Sequence, residues 1–301
     1  MATNLTMINH VRCGFVLVAL ALTGCDAGRA VDPVFSDPPE RRPAATNVEL
    51  TFTSSGARLP GYLMMAGGAG PHPTALLLHG YPGNEKNLDL ALTLRRVGWN
   101  VMFMHYRGAW GSEGAFRIAH MREDALAALE HLRQNAEEFR VDSQRLAVIG
   151  HSMGGHAALR TGAADANVQC VVGLAAANLG RYADRDAETR AAFVRYSDAL
   201  FMLEDWDGET GLRELEQRQA EFDLRQLGPS LAGRPVLLLT GLKDGVVPVD
   251  VQRDLVAAWQ ADAVGASLDV TALEVAGDHS FTGHRIAFQR LVVDWLSQNC
   301  L

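Results

Sequence analysis

The chain alternates between short apolar runs and longer amphipathic stretches. Apolar runs with the length of buried strands lie at residues 74–78, 101–105, 146–149, 170–175, 236–239 and 268–275. Amphipathic stretches with helical spacing lie at about 86–97, 119–138, 156–164, 249–261 and 284–298. Apolar strands that alternate with amphipathic helices predict a parallel sheet with helices on both faces.

Two further segments precede the first apolar run. Residues 48–53 and 62–65 alternate apolar and polar positions around Ser54-Ser55-Gly56, which is a turn signal, so we expect an antiparallel hairpin. The hairpin and the apolar runs together predict a mostly parallel, eight-stranded sheet in one domain over residues 47–301.

One segment, residues 178–233, interrupts this alternation. It is rich in Arg and Glu, has helical periodicity at 191–203 and 212–227, and lacks a strand signal. A structureless loop of this length is uncommon in a compact domain. We interpret it as a helical cap inserted over the carboxyl edge of the sheet, where ligands bind in open α/β folds. An ordinary crossover on a sheet face is the alternative.

The first 25 residues have the pattern of a targeting segment. Arg12 precedes an apolar run at 14–22, which is shorter than the roughly 20 residues that span a bilayer but fits a signal-peptide core. The tetrapeptide 22–25, Leu-Thr-Gly-Cys, resembles the bacterial lipobox. That resemblance implies lipid attachment at Cys25, and a plain secretory signal is the alternative.

Residues 26–46 are rich in Pro, Asp, Arg and Ala, which predicts a flexible tether. The N-terminal features together predict an exported protein on the periplasmic side of a bacterial cell envelope, with the lipid anchor as its contact to a membrane. After loss of the signal, Cys170 and Cys300 are the cysteines left besides Cys25. The sequence does not place these two residues close together, so we expect no disulfide.

Composition narrows the class of protein. The 301 residues are 48% hydrophobic, which predicts one large core, and the net charge of −8 without a basic run argues against a nucleic-acid partner. No Cys/His cluster or carboxylate array has the spacing of metal ligands. No glycine loop with a following lysine predicts phosphate binding. We therefore expect no metal and no cofactor.

The pentapeptide 150–154, Gly-His-Ser-Met-Gly, joins an apolar strand pattern to a helical segment of small residues. A tight turn from strand to helix needs residues without bulk two positions before and after Ser152. The hydroxyl of Ser152 would then be exposed at the tip of the turn, and the next N–H would lie at a helix N-terminus. An ordinary glycine-rich turn is the alternative for the pentapeptide alone.

The segment 79–83, His-Gly-Tyr-Pro-Gly, follows the first apolar run. A serine hydrolase needs two N–H donors directed at the developing oxyanion, and we expect them at Met153 and Tyr81. We interpret His79 as a support for this loop, and a role as the base is the less favoured alternative. The Tyr81 hydroxyl is a further candidate donor.

Two more candidates follow later strands. Asp244 lies in the loop expected after the apolar run 236–239 and could orient a histidine. Asp-Gly is also a common turn pair. His279, after 268–275, is the candidate base. We prefer Asp244 over the adjacent Asp278 as its partner, because neighbouring side chains on a loop rarely point at each other. His284 is a weaker alternative base.

Ser152, Asp244 and His279 occur in the order nucleophile, acid and histidine, each after a successive strand. With the His-Gly pair at 79–80, residues 48–299 resemble the α/β-hydrolase fold. The segment 106–114, Tyr-Arg-Gly-Ala-Trp-Gly-Ser-Glu-Gly, is similar to a loop of the dienelactone-hydrolase and prolyl-oligopeptidase-like branch. The oxyanion loop departs from the His-Gly-Gly-Gly of many lipases, and we expect a tether rather than a propeller before the domain.

The resemblance implies acyl transfer to water through an acyl-enzyme on Ser152, with His279 as base and Asp244 orienting it. We expect a carboxylesterase that acts on small-molecule esters, and amide cleavage by an acyl-aminopeptidase-like enzyme is the alternative. A haloalkane dehalogenase is disfavoured because its nucleophile is a carboxylate. A non-catalytic, lipid-anchored binding module is the remaining alternative.

Overall fold

The structure is a computed structural model that describes residues 32–262 and 268–301. The predicted signal peptide, Cys25 and the tether residues 26–31 lie outside the described residues. Among the helices of the described part, none is long and apolar enough to cross a membrane.

An eight-stranded sheet runs through the described part of the chain in the order β1-β2-β4-β3-β5-β6-β7-β8. The strands are β1 Thr46–Ser54, β2 Ala57–Met65, β3 His72–Leu78, β4 Asn100–Met104, β5 Val141–His151, β6 Val168–Leu174, β7 Pro235–Gly241 and β8 Asp269–Val275. The pairs β1–β2 and β2–β4 are antiparallel, and the others are parallel. The prediction of a mostly parallel sheet of eight strands is confirmed.

Helices cover both faces of the sheet, as predicted. On one face lie α1 Leu88–Arg96 and α9 Arg285–Asn299, and on the other lie α2 Met121–Gln134, α3 Met153–Ala164 and α8 Val249–Asp262. Successive residues of β3 point to opposite faces, so Leu76 packs in one core and Leu77 in the other. Burial on both faces explains why the central strands are continuous apolar runs.

The edge hairpin depends on its two turn residues. Ser55 and Gly56 have positive φ angles of 46° and 84°. A two-residue hairpin turn with this backbone matches the right-handed twist of the flanking strands. The turn therefore fixes the register in which Ser54 pairs with Ala57.

Cys170 and Cys300 form a disulfide, so the prediction of no disulfide was wrong. Cys170 lies in β6, and Cys300 directly follows α9. Because α9 packs on the sheet face beneath β6, the end of the chain reaches Cys170, and the two Cα atoms are 5.9 Å apart. Their sequence separation of 130 concealed this proximity.

Replacing both cysteines (Cys170→Ala with Cys300→Ala) is expected to lower the free energy of unfolding by about 2–5 kcal/mol, because the crosslink closes a long loop in the unfolded chain. Urea unfolding of the double variant and of the oxidised wild type measures the difference. The reduced wild type is the matched control and should resemble the variant. Identical unfolding of oxidised and reduced wild type would contradict the crosslink.

The segment between β6 and β7, which we call the cap after its predicted role, is helical. It contains a 3-10 turn Leu179–Asp184, α4 Ala187–Asp198, α5 Gly208–Gln217, α6 Gln219–Phe222, a second 3-10 turn Leu224–Leu227, and α7 Gly228–Leu231. Asp186 and Asp207 cap α4 and α5 by accepting the N–H groups of Thr189 and Thr210.

The second half of this segment belongs to the main core. Phe222, Leu224 and Leu231 are fully buried, and Trp259 of α8 donates its indole N–H to the carbonyl of Leu224 at 2.8 Å. Deleting the whole segment would expose these side chains to water. Single substitutions are therefore a cleaner probe of the cap than its removal.

The described part of the predicted tether contacts the domain. Arg290 forms an ion pair with Asp32, and Arg96 donates to the carbonyl of Pro33 at 3.3 Å. Nearer the first strand, the N–H of Gly68 donates to the carbonyl of Pro43 at 2.8 Å. From residue 32 onward the segment thus follows the domain surface.

Candidate active site

Ser152 lies at the tight turn between β5 and α3, with φ 58° and ψ −118°. This backbone conformation is sparsely populated for a residue with a Cβ atom, and such strain is concentrated at functional sites. A Cβ atom on Gly150 would overlap the carbonyl of Gly154, and one on Gly154 would overlap the carbonyl of Leu78. The turn therefore requires glycine at both positions, as the spacing predicted.

Hydrogen bonds to the backbone hold Ser152 in this conformation. Its N–H donates to the carbonyl of Leu174 at 2.8 Å. Its carbonyl accepts the N–H groups of His156 and Ala177, each at 3.1 Å. Contacts from α3 and from the strand next to β5 thus fix the serine backbone before any substrate binds.

His279 and Asp244 are in direct contact. The imidazole Nδ1–H donates to Asp244 Oδ2 at 2.7 Å, and the carboxylate side chain is fully buried. The other carboxylate oxygen, Oδ1, accepts the N–H groups of Val246 and Val247 at 2.8 Å each. The turn at Asp-Gly and the contact with histidine therefore coexist, each using one oxygen. The hydrogen bond places the proton on Nδ1 and leaves Nε2 able to accept another.

The competing candidates have other partners. Asp278 is exposed and accepts the N–H of Thr282 at 2.7 Å, and this backbone hydrogen bond lowers the pKa of its carboxyl. It therefore caps the turn after His279. His284 ends the 3-10 turn Thr282–His284 and is not among the residues that line the cavity described next.

Ser152 and His279 line the same cavity, which has a volume of about 900 Å³. Within the described residues no hydrogen bond joins the two side chains, and such contacts are often loose without substrate. The cap supplies one wall of the cavity, and most of the uncharged lining residues are apolar or aromatic: Tyr81, Ile118, Met153, Leu179, Tyr182, Phe193, Tyr196, Leu215, Val246 and Val247. The lining also includes five exposed charged residues: Arg181, Asp184, Arg185, Asp250 and Asp254.

The predicted oxyanion loop, residues 79–83, packs directly on the turn that carries Ser152. A Cβ atom on Gly80 would lie 3.1 Å from Ser152 Cβ, so any other residue would crowd the serine and glycine suits this close approach. Met153 is the first residue of α3, where backbone N–H groups lack a partner inside the helix. In the described chain the N–H groups of Tyr81 and Met153 have no acceptor, and both residues line the cavity.

His79 supports this loop from below. It is buried, its Nδ1 contacts the carbonyl oxygen of Gly80 at 2.8 Å, and its Nε2 lies 3.2 Å from Nδ1 of His105. Burial lowers the pKa of His79 to about 4, so the ring is neutral near pH 7. Both ring nitrogens face protein groups, which fits the supporting role and not that of the base.

The Tyr81 hydroxyl faces the cap. It donates to Ser197 Oγ at 2.7 Å and accepts the indole N–H of Trp206 at 2.7 Å. A hydroxyl with one donor bond and one acceptor bond already made has no proton left for an oxyanion. The structure therefore does not support the hydroxyl as an oxyanion donor.

Sequence reasoning missed His151. Its Nε2–H donates to the carbonyl of His279 at 2.8 Å, and the two ring centroids are 4.7 Å apart. Burial lowers the pKa of His151 to about 4, so it remains a neutral donor. This hydrogen bond ties the loop carrying the histidine to the turn carrying the serine. The one sign of this role in the sequence was the position of His151, whose ring N–H can donate a hydrogen bond, directly before Ser152.

The segments that carry the site residues directly follow four parallel strands. Tyr81 comes after β3, Ser152 after β5, Asp244 after β7 and His279 after β8. Parallel strands bring these ends to one edge of the sheet, where open α/β folds bind ligands. In the part of the chain that the structure describes, no group of three or more His, Cys, Asp or Glu residues could hold a metal ion. The arrangement can thus supply a nucleophile, an oriented base and two N–H donors.

Several solved structures share this fold. An esterase of Pyrococcus furiosus has 18% identity and a TM-score of 0.65, over 88% of this chain and 98% of that one. An acylaminoacyl peptidase of Pyrococcus horikoshii has 15% identity and a TM-score of 0.67, over 85% of this chain but only 42% of that one. A puromycin-hydrolyzing peptidase of Mycobacterium tuberculosis has 20% identity and a TM-score of 0.65, over 85% of this chain and 40% of that one. At these identities the similarity establishes the α/β-hydrolase fold alone.

Sequence comparison points to one family. No curated protein matches the sequence. The BD-FAE family model matches residues 66–217, just over half of the chain's 301 residues. The match includes the oxyanion loop and the turn at Ser152, whereas Asp244 and His279 lie beyond it. On this match the chain belongs to the BD-FAE family, within the α/β-hydrolase fold.

Proposed function

We propose that the protein is a serine hydrolase that cleaves carboxylic ester bonds of small substrates through an acyl-enzyme on Ser152. One observation carries the proposal. A serine in a strained strand-to-helix turn shares a cavity with a histidine whose Nδ1–H donates to a buried carboxylate at 2.7 Å. The esterase among the structural neighbours, which this chain covers almost completely, supports it.

The proposed reaction has two halves. His279 Nε2 accepts the proton of Ser152 Oγ as that oxygen attacks the ester carbonyl carbon, and then returns the proton to the departing alcohol. Asp244 holds the Nδ1 proton and stabilises the imidazolium. The N–H groups of Tyr81 and Met153 bind the oxyanion. A water molecule then attacks the acyl carbon while His279 takes its proton, and His279 gives this proton to Ser152 Oγ as the carboxylic acid departs.

The cavity limits the class of substrate. Its volume of about 900 Å³ is within the usual range for small-molecule sites, and its aromatic and aliphatic lining suits a substrate with a sizeable apolar part. Amide cleavage, as in the acylaminoacyl peptidase neighbour, is the second candidate. Because this chain spans 42% of that neighbour, the peptidase activity is the less favoured of the two.

A panel of p-nitrophenyl esters with increasing acyl chains, beside aminoacyl p-nitroanilides, separates these candidates. The proposal expects turnover of esters well above that of anilides. Preferential cleavage of the anilides would favour the peptidase. A folded protein that turns over neither compound and resists a fluorophosphonate would instead be a binding module.

We also propose that the mature protein is lipid-anchored at Cys25 on the periplasmic side of a cell envelope. The lipobox-like tetrapeptide supports this, and so does the disulfide, because such bonds persist in oxidising compartments such as the periplasm. A diacylglyceryl group carries two acyl chains, and two chains hold a protein on a bilayer where one does so only marginally.

The anchored protein is expected to sediment with membranes and to resist a high-salt wash. Cys25→Ser should move it to the soluble fraction or leave its signal peptide uncleaved. Cys13→Ser, inside the predicted signal peptide, is the matched control and should change neither result. Mass spectrometry of the mature N-terminal peptide decides the question, since an unmodified N-terminus from cleavage elsewhere would contradict the anchor.

A further inference from the structure

The side chain of Tyr81 joins the oxyanion loop to the cap. Its hydroxyl makes two hydrogen bonds of 2.7 Å, one to Ser197 in α4 and one from Trp206 in the segment before α5. Burial raises the pKa of Tyr81 to about 12, so the hydroxyl keeps its proton and can serve both partners. Both partners are buried, and neither lines the cavity that holds Ser152.

Aromatic packing fixes the ring between these two hydrogen bonds. The ring of Tyr81 stacks on Phe193 of α4 with centroids 5.9 Å apart, and it meets Trp206 edge-on at 6.4 Å. Phe116 closes the group, with its ring perpendicular to Trp206 at 4.9 Å. Aromatic pairs in these geometries contribute beyond simple burial. The phenol therefore has little freedom to rotate.

The cap segment that carries Trp206 is itself bonded to the loop after β4. The N–H of Glu204 donates to the carbonyl of Gly108 at 2.7 Å, and the N–H of Trp110 donates to the carbonyl of Met202 at 2.9 Å. The indole N–H of Trp110 then donates to the carbonyl of Pro82, the residue after Tyr81, at 2.7 Å. The oxyanion loop is thus held on the cap side at two consecutive residues.

We infer that Ser197 and Trp206 are positioning residues of the oxyanion hole, which they act on by holding the Tyr81 side chain so that its backbone N–H points at the cavity. We call Tyr81, Ser197 and Trp206 the Tyr81 clamp. The inference rests on the proposed function and adds a second role to the cap. Besides walling the cavity, the cap sets the geometry of one of the two N–H donors.

The physical reason is the steep dependence of an oxyanion contact on geometry. Such donors act because they are already aimed at the developing charge and need no reorganisation during the reaction. A misplacement of about 1 Å can cost on the order of 100-fold in rate. Loosening the clamp should therefore lower kcat, while KM changes little because the clamp partners do not touch the substrate cavity.

Trp206→Phe tests the clamp, because it removes the N–H donor and keeps an aromatic ring. We expect kcat for p-nitrophenyl esters to fall about tenfold with KM within twofold of wild type. Affinity for a boronic acid, which mimics the tetrahedral intermediate, should fall by the same factor. Trp259→Phe is the matched control, since it removes a buried indole hydrogen bond to the carbonyl of Leu224. Trp259 does not line the cavity, so kcat should stay unchanged.

Two further variants complete the test. Ser197→Ala removes the other hydrogen-bond partner of the Tyr81 hydroxyl by a smaller change, and the same loss of kcat is expected. It serves as the test should Trp206→Phe fail to fold. Tyr81→Phe combined with Trp206→Phe should be no slower than Tyr81→Phe alone, because the shared hydrogen bond is already lost.

The outcomes separate the two proposals. Unchanged kcat and boronate affinity in folded Trp206→Phe or Ser197→Ala, with an active wild type, overturn the clamp and leave the hydrolase function intact. A fall in kcat equal to that of Trp259→Phe also overturns it, because the effect would then be general destabilisation. A wild type that neither turns over esters nor reacts with a fluorophosphonate overturns the proposed function and the clamp together.

Discussion

The Ser152→Ala variant is expected to fold like the wild type and to lose four or more orders of magnitude in kcat towards p-nitrophenyl esters, as removal of a triad nucleophile does. Ser152 Oγ would form the covalent bond to the acyl carbon, and the methyl group of alanine cannot. The backbone hydrogen bonds of Ser152 to Leu174, His156 and Ala177 do not involve the hydroxyl, so the turn should keep its shape.

Far-ultraviolet circular dichroism and thermal unfolding check the fold of this variant, and initial rates check its activity. Ser280→Ala is a matched control, because Ser280 is the serine next to His279 in the sequence. It should retain most of the wild-type rate. Substantial activity in well-folded Ser152→Ala would show that Ser152 is not the nucleophile.

Asp244→Asn is expected to lower kcat by about 10⁴-fold. The structure gives the reason in atomic terms. The N–H groups of Val246 and Val247 both donate to Asp244 Oδ1, so the amide oxygen of asparagine must take that position. Its NH₂ group then faces Nδ1 of His279 and donates to it. The imidazole is forced to carry its proton on Nε2, where it cannot accept the proton of Ser152.

Asp278→Asn is the matched control for this substitution. Its side chain accepts the N–H of Thr282, a bond that an asparagine oxygen also makes, so kcat should stay within about threefold of wild type. Rates measured across pH 5 to 9 compare the two variants. A larger loss for Asp278→Asn than for Asp244→Asn would contradict the assignment of the acid.

The regular part of the fold was predictable because burial on both sheet faces makes a strong pattern. Each central strand appears as an apolar run in the sequence, and the structure has a strand at each of those places. The ends of the strands and helices were less well predicted. The strand before Ser152 begins at Val141, and α2 ends at Gln134. The apolar pattern had predicted a start at 146 for the strand and an end at 138 for the helix. Polar residues directly follow both Val141 and Gln134, so the pattern did not mark either boundary.

Contacts between distant segments explain what the sequence did not reveal. The disulfide depends on where α9 packs, which no local pattern encodes. Three hydrogen bonds join segments far apart in the chain: from His151 to the carbonyl of His279, from Tyr81 to Ser197, and from Trp206 to Tyr81. The approach of Asp244 to His279, by contrast, was predictable because both follow neighbouring strands of a parallel sheet.

The most direct test of the central claim is to locate the covalent intermediate. The enzyme is mixed rapidly with a p-nitrophenyl ester, quenched in acid during the burst phase and digested, and the acylated peptide is sequenced by tandem mass spectrometry. The proposed mechanism predicts a single acyl group on Ser152, in an amount that matches the burst of p-nitrophenol, and no acyl group in Ser152→Ala. Acylation of a different residue, or steady turnover without any acylated peptide, would contradict it.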